Sequence, residues 1–149
     1  MREIKFRGRK PNREWVYGDL ITVEKTDGQP SRKDILPFDA MLFENTEEVE
    51  EDTIGQFTGL HDKNGKEIYE GDLLLLPANT KVKAYEKGDF VEDKFVQRFA
   101  VVWAKQCQGY GLCLPYEAKY DAPDVVGMVA VDRMFVIGNI HDNPELLNE

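Results

Sequence analysis

The sequence is poor in cysteine and histidine, with two of each among 149 residues, and it has no long apolar run. Cys107 and Cys113 are too few for a disulfide framework, and a zinc site would need two further ligands that no second cysteine pair supplies. Buried thiols, or an idle pair meeting across a hairpin around Gly109-Tyr110-Gly111, are the readings left for that spacing. No apolar stretch approaches the roughly 20 residues of a membrane span, so no membrane partner is expected. The N-terminus is basic but lacks the apolar core of a signal peptide, and a reducing cytosol is the expected setting. Catalytic signatures are missing as well. Gly55-Gln-Phe-Thr-Gly59 has Phe57 where a nucleophile elbow would need serine, and no phosphate-binding glycine loop or metal motif occurs. No cofactor is expected.

Sustained 3.6-residue periodicity is also absent, which leaves a mainly β reading. At 149 residues and 42% hydrophobic content, one domain spanning 1–149 is the default, large enough for its own core. Glu3 to Arg9 alternates Ile4 and Phe6 with Lys5, Arg7 and Arg9, the pattern of a strand with a charged outer face. Glu14 to Val23 reads as a second strand interrupted at Gly18-Asp19. Asp34 to Glu44, weakened by Pro37, reads as a short strand pair or edge segment. Loop excursions are expected at 24–34, at the acidic run 44–52, and at 78–95, the last either a loop or a hairpin around Lys87-Gly88-Asp89.

The clearest local signal lies between Thr53 and Leu76. Two β-type runs flank Asp62-Lys63-Asn64-Gly65, and Asn64-Gly65 supplies the positive φ angles of a tight hairpin. Gly71-Asp72 then bends the chain before four leucines and Pro77. Arg98 to Ala104 and Arg133 to Ile140 are further strands, separated by a tight turn within Gln106 to Pro115, where two glycines flank Tyr110. Asn143 and Pro144 open a short C-terminal helical turn. These elements predict a small barrel-like or rolled antiparallel sheet with long loops. Gly18, Asp19, Asn64, Gly65, Gly71 and Asp72 are its fold-defining turn residues. Asn12 to Leu20 and Asn64 to Leu73 echo each other around Gly-Asp-Leu, as a structural repeat or as recurrent hairpin chemistry.

The formal charge is −9, which disfavours nucleic acid as a partner. Yet Arg2, Lys5, Arg7, Arg9, Lys10 and Arg13 face Glu3 alone, so the acidity is concentrated in the rest of the chain. Such polarity suits docking on the acidic body of a second copy, hence a homo-oligomer. Phe6, Arg7, Arg9, Lys10, Arg13, Trp15 and Tyr17 form the candidate binding set, combining phosphate-contacting cations with stacking rings. Its plain alternative is a core-facing aromatic row with a charged outer face. Asp19 and Asp72 with His61 would be the centre of a metal-dependent hydrolase if the echo brought them together. Otherwise each carboxylate serves its own turn. His61-Asp62 and His141-Asp142 are read as turn residues making local hydrogen bonds rather than as metal ligands.

Four stretches carry a family resemblance. They are Met1 to Leu20 (Met-Arg-Glu-Ile-Lys-Phe-Arg-Gly…Trp-Val-Tyr-Gly-Asp-Leu), Ile54 to Leu73 (Ile-Gly-Gln-Phe-Thr-Gly-Leu-His-Asp-Lys-Asn-Gly-Lys-Glu-Ile-Tyr-Glu-Gly-Asp-Leu), Val101 to Trp103, and Val136 to Leu147. In this order they resemble the YopX-like proteins of bacteriophages and prophages, with Gly-Asp-Leu-Leu where that pattern usually has Gly-Asp-Ile-Val. The resemblance implies a phage or prophage origin, a cytoplasmic setting in the infected bacterium and a mainly β fold, and it assigns no reaction to any residue. The sequence thus leads to a non-enzymatic accessory protein that self-associates and binds a host or phage protein. A nucleic-acid binder is the first alternative and a metal-dependent hydrolase the second.

Overall fold

The computed structural model describes residues 3–40, 45–83, 90–93, 97–128 and 130–148. Twelve strands are traced: β1 (Phe6–Arg9), β2 (Trp15–Val23), β3 (Arg32–Pro37), β4 (Glu47–Glu48), β5 (Glu50–His61), β6 (Glu67–Tyr69), β7 (Asp72–Leu76), β8 (Thr80–Lys83), β9 (Phe90–Asp93), β10 (Gln97–Ala104), β11 (Gly109–Cys113) and β12 (Phe135–Asn139). Short 3-10 turns lie at Pro115–Glu117, Val131–Arg133 and Pro144–Asn148. The expected mainly β antiparallel architecture with a short C-terminal helical turn is what the chain adopts. The sheets are open rather than closed into a barrel: one has the order β4-β3-β2-β1-β5-β6, another β11-β10-β7-β12, and β8 pairs with β9. By internal packing the chain divides into two compact units, one up to Phe57 and one from Thr58 onward.

In the first unit β1 lies between β2 and β5. Its register sets Arg7 opposite Tyr17 and Arg9 opposite Trp15 on one side, and Arg7 opposite Gly55 on the other. The pairing with β5 slips between Arg7 and Arg9. Thr53, 1% exposed, holds that irregularity: its Oγ1 accepts the Arg9 N–H (2.9 Å) and donates to the Glu50 carbonyl (2.6 Å). Gly8 is required here because a Cβ would meet the Val49 side chain at 2.8 Å.

Several sequence expectations need correction in this unit. β2 runs unbroken through Gly18-Asp19, because Gly18 has no positive φ and instead lets the Leu36 carbonyl approach where a Cβ would stand. The charged outer face of β1 is inverted, with Arg7 buried and Ile4 62% exposed. In the acidic run, Glu47–Glu48 and Glu50 to Asp52 are strand rather than loop, since Val49 and Thr53 are buried between the exposed acids. The 24–34 excursion ends early, at β3, where Arg32 and Asp34 already pair with Val23 and Ile21. Met41, Leu42, Phe43 and Glu44 lie outside the described residues.

The second unit is built on β7. Its leucines do not alternate with polar residues because both faces of this central strand are covered. Leu74 and Leu76 join Ile68, Val101, Leu112, Val131 and Met134 on one face, while Leu73 joins Ala100 and Cys113 on the other. Burial of one such leucine stabilises by about 1.5–3 kcal/mol, so this double-sided strand anchors the unit. Of the two readings of 78–95, β8 and β9 correspond to the hairpin. The tip at Lys87-Gly88-Asp89 lies outside the described residues.

The hairpin expected at Asn64-Gly65 forms, with a different turn from the one its dipeptide suggests. Gly65 has φ 80° while Asn64 keeps a negative φ. The Gly65 N–H donates to the Asp62 carbonyl (3.0 Å) and the Asp62 N–H to the Lys66 carbonyl (2.8 Å), as in a type I turn followed by a left-handed glycine bulge. The tight turn expected around Tyr110 lies earlier. Gln108 takes the left-handed position (φ 50°), and Gly109–Cys113 is strand. Gly111 serves close packing instead, since a Cβ there would meet Val125 at 2.8 Å.

Each edge of the β7 sheet is tied at one place to another segment. At β12 the Asp62 Oδ2 accepts the Val136 N–H (2.9 Å) and the Lys63 N–H donates to the Met134 carbonyl (2.9 Å). At β11 the Leu112 N–H and C=O both bond Val126. In the other sheet the β4 edge is two glutamates long. Short, charged or covered edges suppress strand-to-strand association.

Candidate binding surface

Antiparallel register places directly opposed residues on the same face of a sheet. Arg7, Arg9, Trp15 and Tyr17 therefore share one face of β1 and β2, whereas Phe6, opposite Gly18, projects from the other. The sequence-predicted set is thus divided. Arg7 is 5% exposed with its guanidinium 4.7 Å from the centre of the Trp15 ring, a cation–π contact that favours a desolvated arginine. Tyr17 is 44% exposed. Arg13 sits in the β1–β2 turn with φ 71° and faces solvent.

The other cations of this set are engaged by carboxylates. Arg9 binds Glu50 through Nη2 (2.9 Å) and Nε (3.3 Å). Lys10 meets Glu14 at 3.0 Å and Glu47 at 4.0 Å. Its hydrogen bond to Glu14 pushes the Lys10 ammonium up, desolvation pulling the other way and Glu47 adding to the rise. The same bond holds the Glu14 carboxyl below its usual range, helped by Asn12. Nearby, the buried Asp34 carboxylate takes a bidentate pair from Arg32 (2.9 and 3.1 Å) and the Thr46 hydroxyl (2.7 Å). Arg32 also reaches Glu48 at 3.5 Å.

The hydrolase candidates have other roles. Asp72 is 1% exposed, and its Oδ2 accepts the Tyr69 N–H (2.8 Å) beside Gly71, whose φ is 91°. Asp19 is exposed in mid-strand, so the Gly-Asp-Leu echo is a bend in one place and a continuous strand in the other. His61 is exposed at the end of β5. The turn reading holds at His141-Asp142, where both N–H groups donate to Asn139 Oδ1 (3.0 and 2.9 Å). Asn143, the N-cap candidate of the C-terminal helical turn by its place before Pro144, turns its side chain back instead, its Oδ1 accepting the Asn139 N–H. Among the described residues no three His, Cys, Asp or Glu side chains are grouped to hold a metal ion, and no helix is long and apolar enough to cross a membrane.

The cysteines do not meet across the hairpin. Cys107 lies exposed in the turn, its Sγ 3.7 Å from the Ala104 carbonyl, and Cys113 is buried opposite Ala100. Burial, with a smaller push from Glu117, raises the Cys113 thiol to about 11. A thiol reagent at pH 8 is therefore expected to modify Cys107 within minutes and Cys113 only in denaturant. Rapid double labelling of the native protein, read by mass spectrometry, would contradict this arrangement.

Two features escaped the sequence reading. Asp62 makes the local turn bonds expected of it, Oδ1 accepting the Asn64 and Lys66 N–H groups (2.8 and 2.9 Å), but the reach of Oδ2 to the Val136 N–H has no signal in the sequence. Trp103 and Tyr110 face each other across the β10–β11 hairpin with ring centroids 5.0 Å apart at 81°. Their placement becomes readable only once the turn is known to lie between them at Lys105 to Gln108. Trp103 (44%), Leu114 (43%) and Val126 (56%) are exposed. By alternation Leu114 lies on the side of β11 that carries Tyr110 and Leu112, but Leu112 and Val101 opposite it are buried in the core, so the Trp103–Tyr110 pair, Leu114 and Val126 are separate exposed positions rather than one patch.

Comparison with known proteins finds no match among curated sequences. A solved crystal structure of an Enterococcus faecalis protein is similar, with TM-score 0.50, 25% identity and 99% of each chain covered. The sequence model of the family described as YopX protein matches residues 5–148, nearly every position to which the strands and turns above have been assigned. The chain belongs to the YopX protein family.

Proposed function

We propose that this chain is a non-enzymatic phage or prophage accessory protein that self-associates, using the Trp103–Tyr110 pair at the end of the β10–β11 hairpin to meet a second copy. The observation that carries this reading is the Trp103–Tyr110 pair, which leaves Trp103 44% exposed at the end of the β10–β11 hairpin. Tryptophan and tyrosine are among the side chains that dominate protein interfaces, and Trp103 packed on the half-buried Tyr110 is held ready for such a contact. The commitment of Arg9 and Lys10 to carboxylates of the same unit weighs against a resting nucleic-acid binder. The Asp72 hydrogen bond within its own turn weighs against a hydrolase.

Light scattering during gel filtration tests this. The native protein is expected to elute well above its 17.1 kDa chain mass at tens of micromolar, and Trp103→Ser with Tyr110→Ser to run as a folded monomer. A native protein monomeric at every concentration would end the reading. Because the pair is apolar, moderate salt should leave the assembly intact.

A further inference from the structure

Three cations of the first unit, Arg9, Lys10 and Arg32, converge on carboxylates of one four-residue stretch. Arg9 binds Glu50 at 2.9 Å, Lys10 meets Glu47 at 4.0 Å, and Arg32 meets Glu48 at 3.5 Å. Glu14 adds a further carboxylate on Lys10 at 3.0 Å. The strand that carries Glu47 and Glu48 is two residues long and pairs with Asp34 and Ile35, and the buried Val49 beside it bonds the Lys33 carbonyl through its N–H, so the backbone and Val49 hold it. The carboxylates of Glu14 (68%), Glu47 (47%) and Glu48 (56%) are largely in solvent, where an ion pair is weak and easily exchanged. On the face that carries Arg9, Trp15 and Tyr17 also project.

We infer that Glu14, Glu47, Glu48 and Glu50 act as an internal polyanion, masking on Arg9, Lys10 and Arg32 a site for single-stranded nucleic acid. A phosphate backbone can replace carboxylates at the same cations with release of counterions, and the flanking rings supply the stacking surface that single strands use. The site is separate from the self-association proposed above and does not depend on it.

The probe is a fluorescein-labelled oligo-dT of about 20 nucleotides, followed by anisotropy at low salt. Glu14→Gln with Glu47→Gln removes the exposed carboxylates on Lys10. Asp124→Asn with Asp132→Asn, exposed residues of the second unit, makes the same change in net charge elsewhere. The first variant is expected to bind about tenfold or more tighter than both the native protein and the second variant, with a steep salt slope. Adding Lys10→Ala to it should abolish the gain. Equal gains in the two variants would reduce the effect to net charge and overturn the masking. So would native protein that binds as tightly as the first variant, or no binding by a first variant whose circular dichroism matches the native protein. Neither variant touches the Arg9–Glu50 or Arg32–Asp34 pairs, which keeps folding out of the comparison.

Discussion

Replacing Asp62 with alanine is expected to destabilise the protein by about 3 kcal/mol, because three backbone N–H groups lose one carboxylate acceptor. Two of those donors, on Asn64 and Lys66, shape the β5–β6 turn, and the third, on Val136, belongs to β12, 74 residues away in sequence. One side chain therefore closes the hairpin and ties it to a sheet edge. The loss should appear as a fall in melting temperature of about 10 °C, on the usual scale for a chain of this size. Asp62→Asn separates shape from charge: its amide oxygen can keep the turn bonds, but its NH2 would face the Val136 N–H, so an intermediate cost is expected.

The pH dependence follows from the same contacts. Burial pushes the Asp62 carboxyl up, but the three N–H donors and the Lys66 charge outweigh it and hold the group below its ordinary 3.8. A carboxyl whose folded value is depressed contributes stability that is fully present above the unfolded value and is lost as pH falls through the folded one. Acid unfolding of the native protein should thus include a contribution below pH 3.8 that Asp62→Asn lacks. Identical acid limbs for the two proteins, measured by circular dichroism, would show that the carboxylate is not the clamp described.

Gly18→Ala is expected to cost about 3 kcal/mol or more, beyond the usual range for overpacking. The reason is space rather than backbone freedom. Gly18 has no positive φ, but a Cβ there would collide with the Leu36 carbonyl and the Pro37 backbone, so β2 and β3 would have to part. Gly28 provides the contrast. It has φ 71° and nothing within 4 Å of a Cβ, so Gly28→Ala should cost only about 1 kcal/mol, the strain of a left-handed non-glycine residue. Denaturant titration of the pair checks this. Equal losses would mean that β3 does not lie against Gly18 as described.

The local signals in the sequence were strong enough to stand without tertiary help. Asn64-Gly65 made a hairpin, the bend at Gly71-Asp72 separated β6 from β7, and the β-branched and aromatic content of Arg98 to Ala104 made a strand. In each case the information is carried by neighbouring residues, through backbone freedom at glycine or side-chain shape on a pleated surface. The four leucines also announced burial, although only the second unit's two core faces explain why they do not alternate.

What the sequence left open depends on contacts between residues distant along the chain. Nothing local marks Arg7 as buried, since that follows from its ring contact with Trp15 across β1 and β2. Nothing near Gly18 reveals the Leu36 carbonyl that requires it, and Val136 cannot be read from Asp62. The candidate binding cations were legible as a cluster, but the pairing of Arg9 with Glu50 and of Lys10 with Glu47 was not. Sequence by itself determined composition, the hairpin at Asn64-Gly65, the bend at Gly71-Asp72 and the strand over Arg98 to Ala104. Tertiary structure alone decided which face each side chain takes and which charge meets which, because register and long-range approach are set by the whole core and by no single segment.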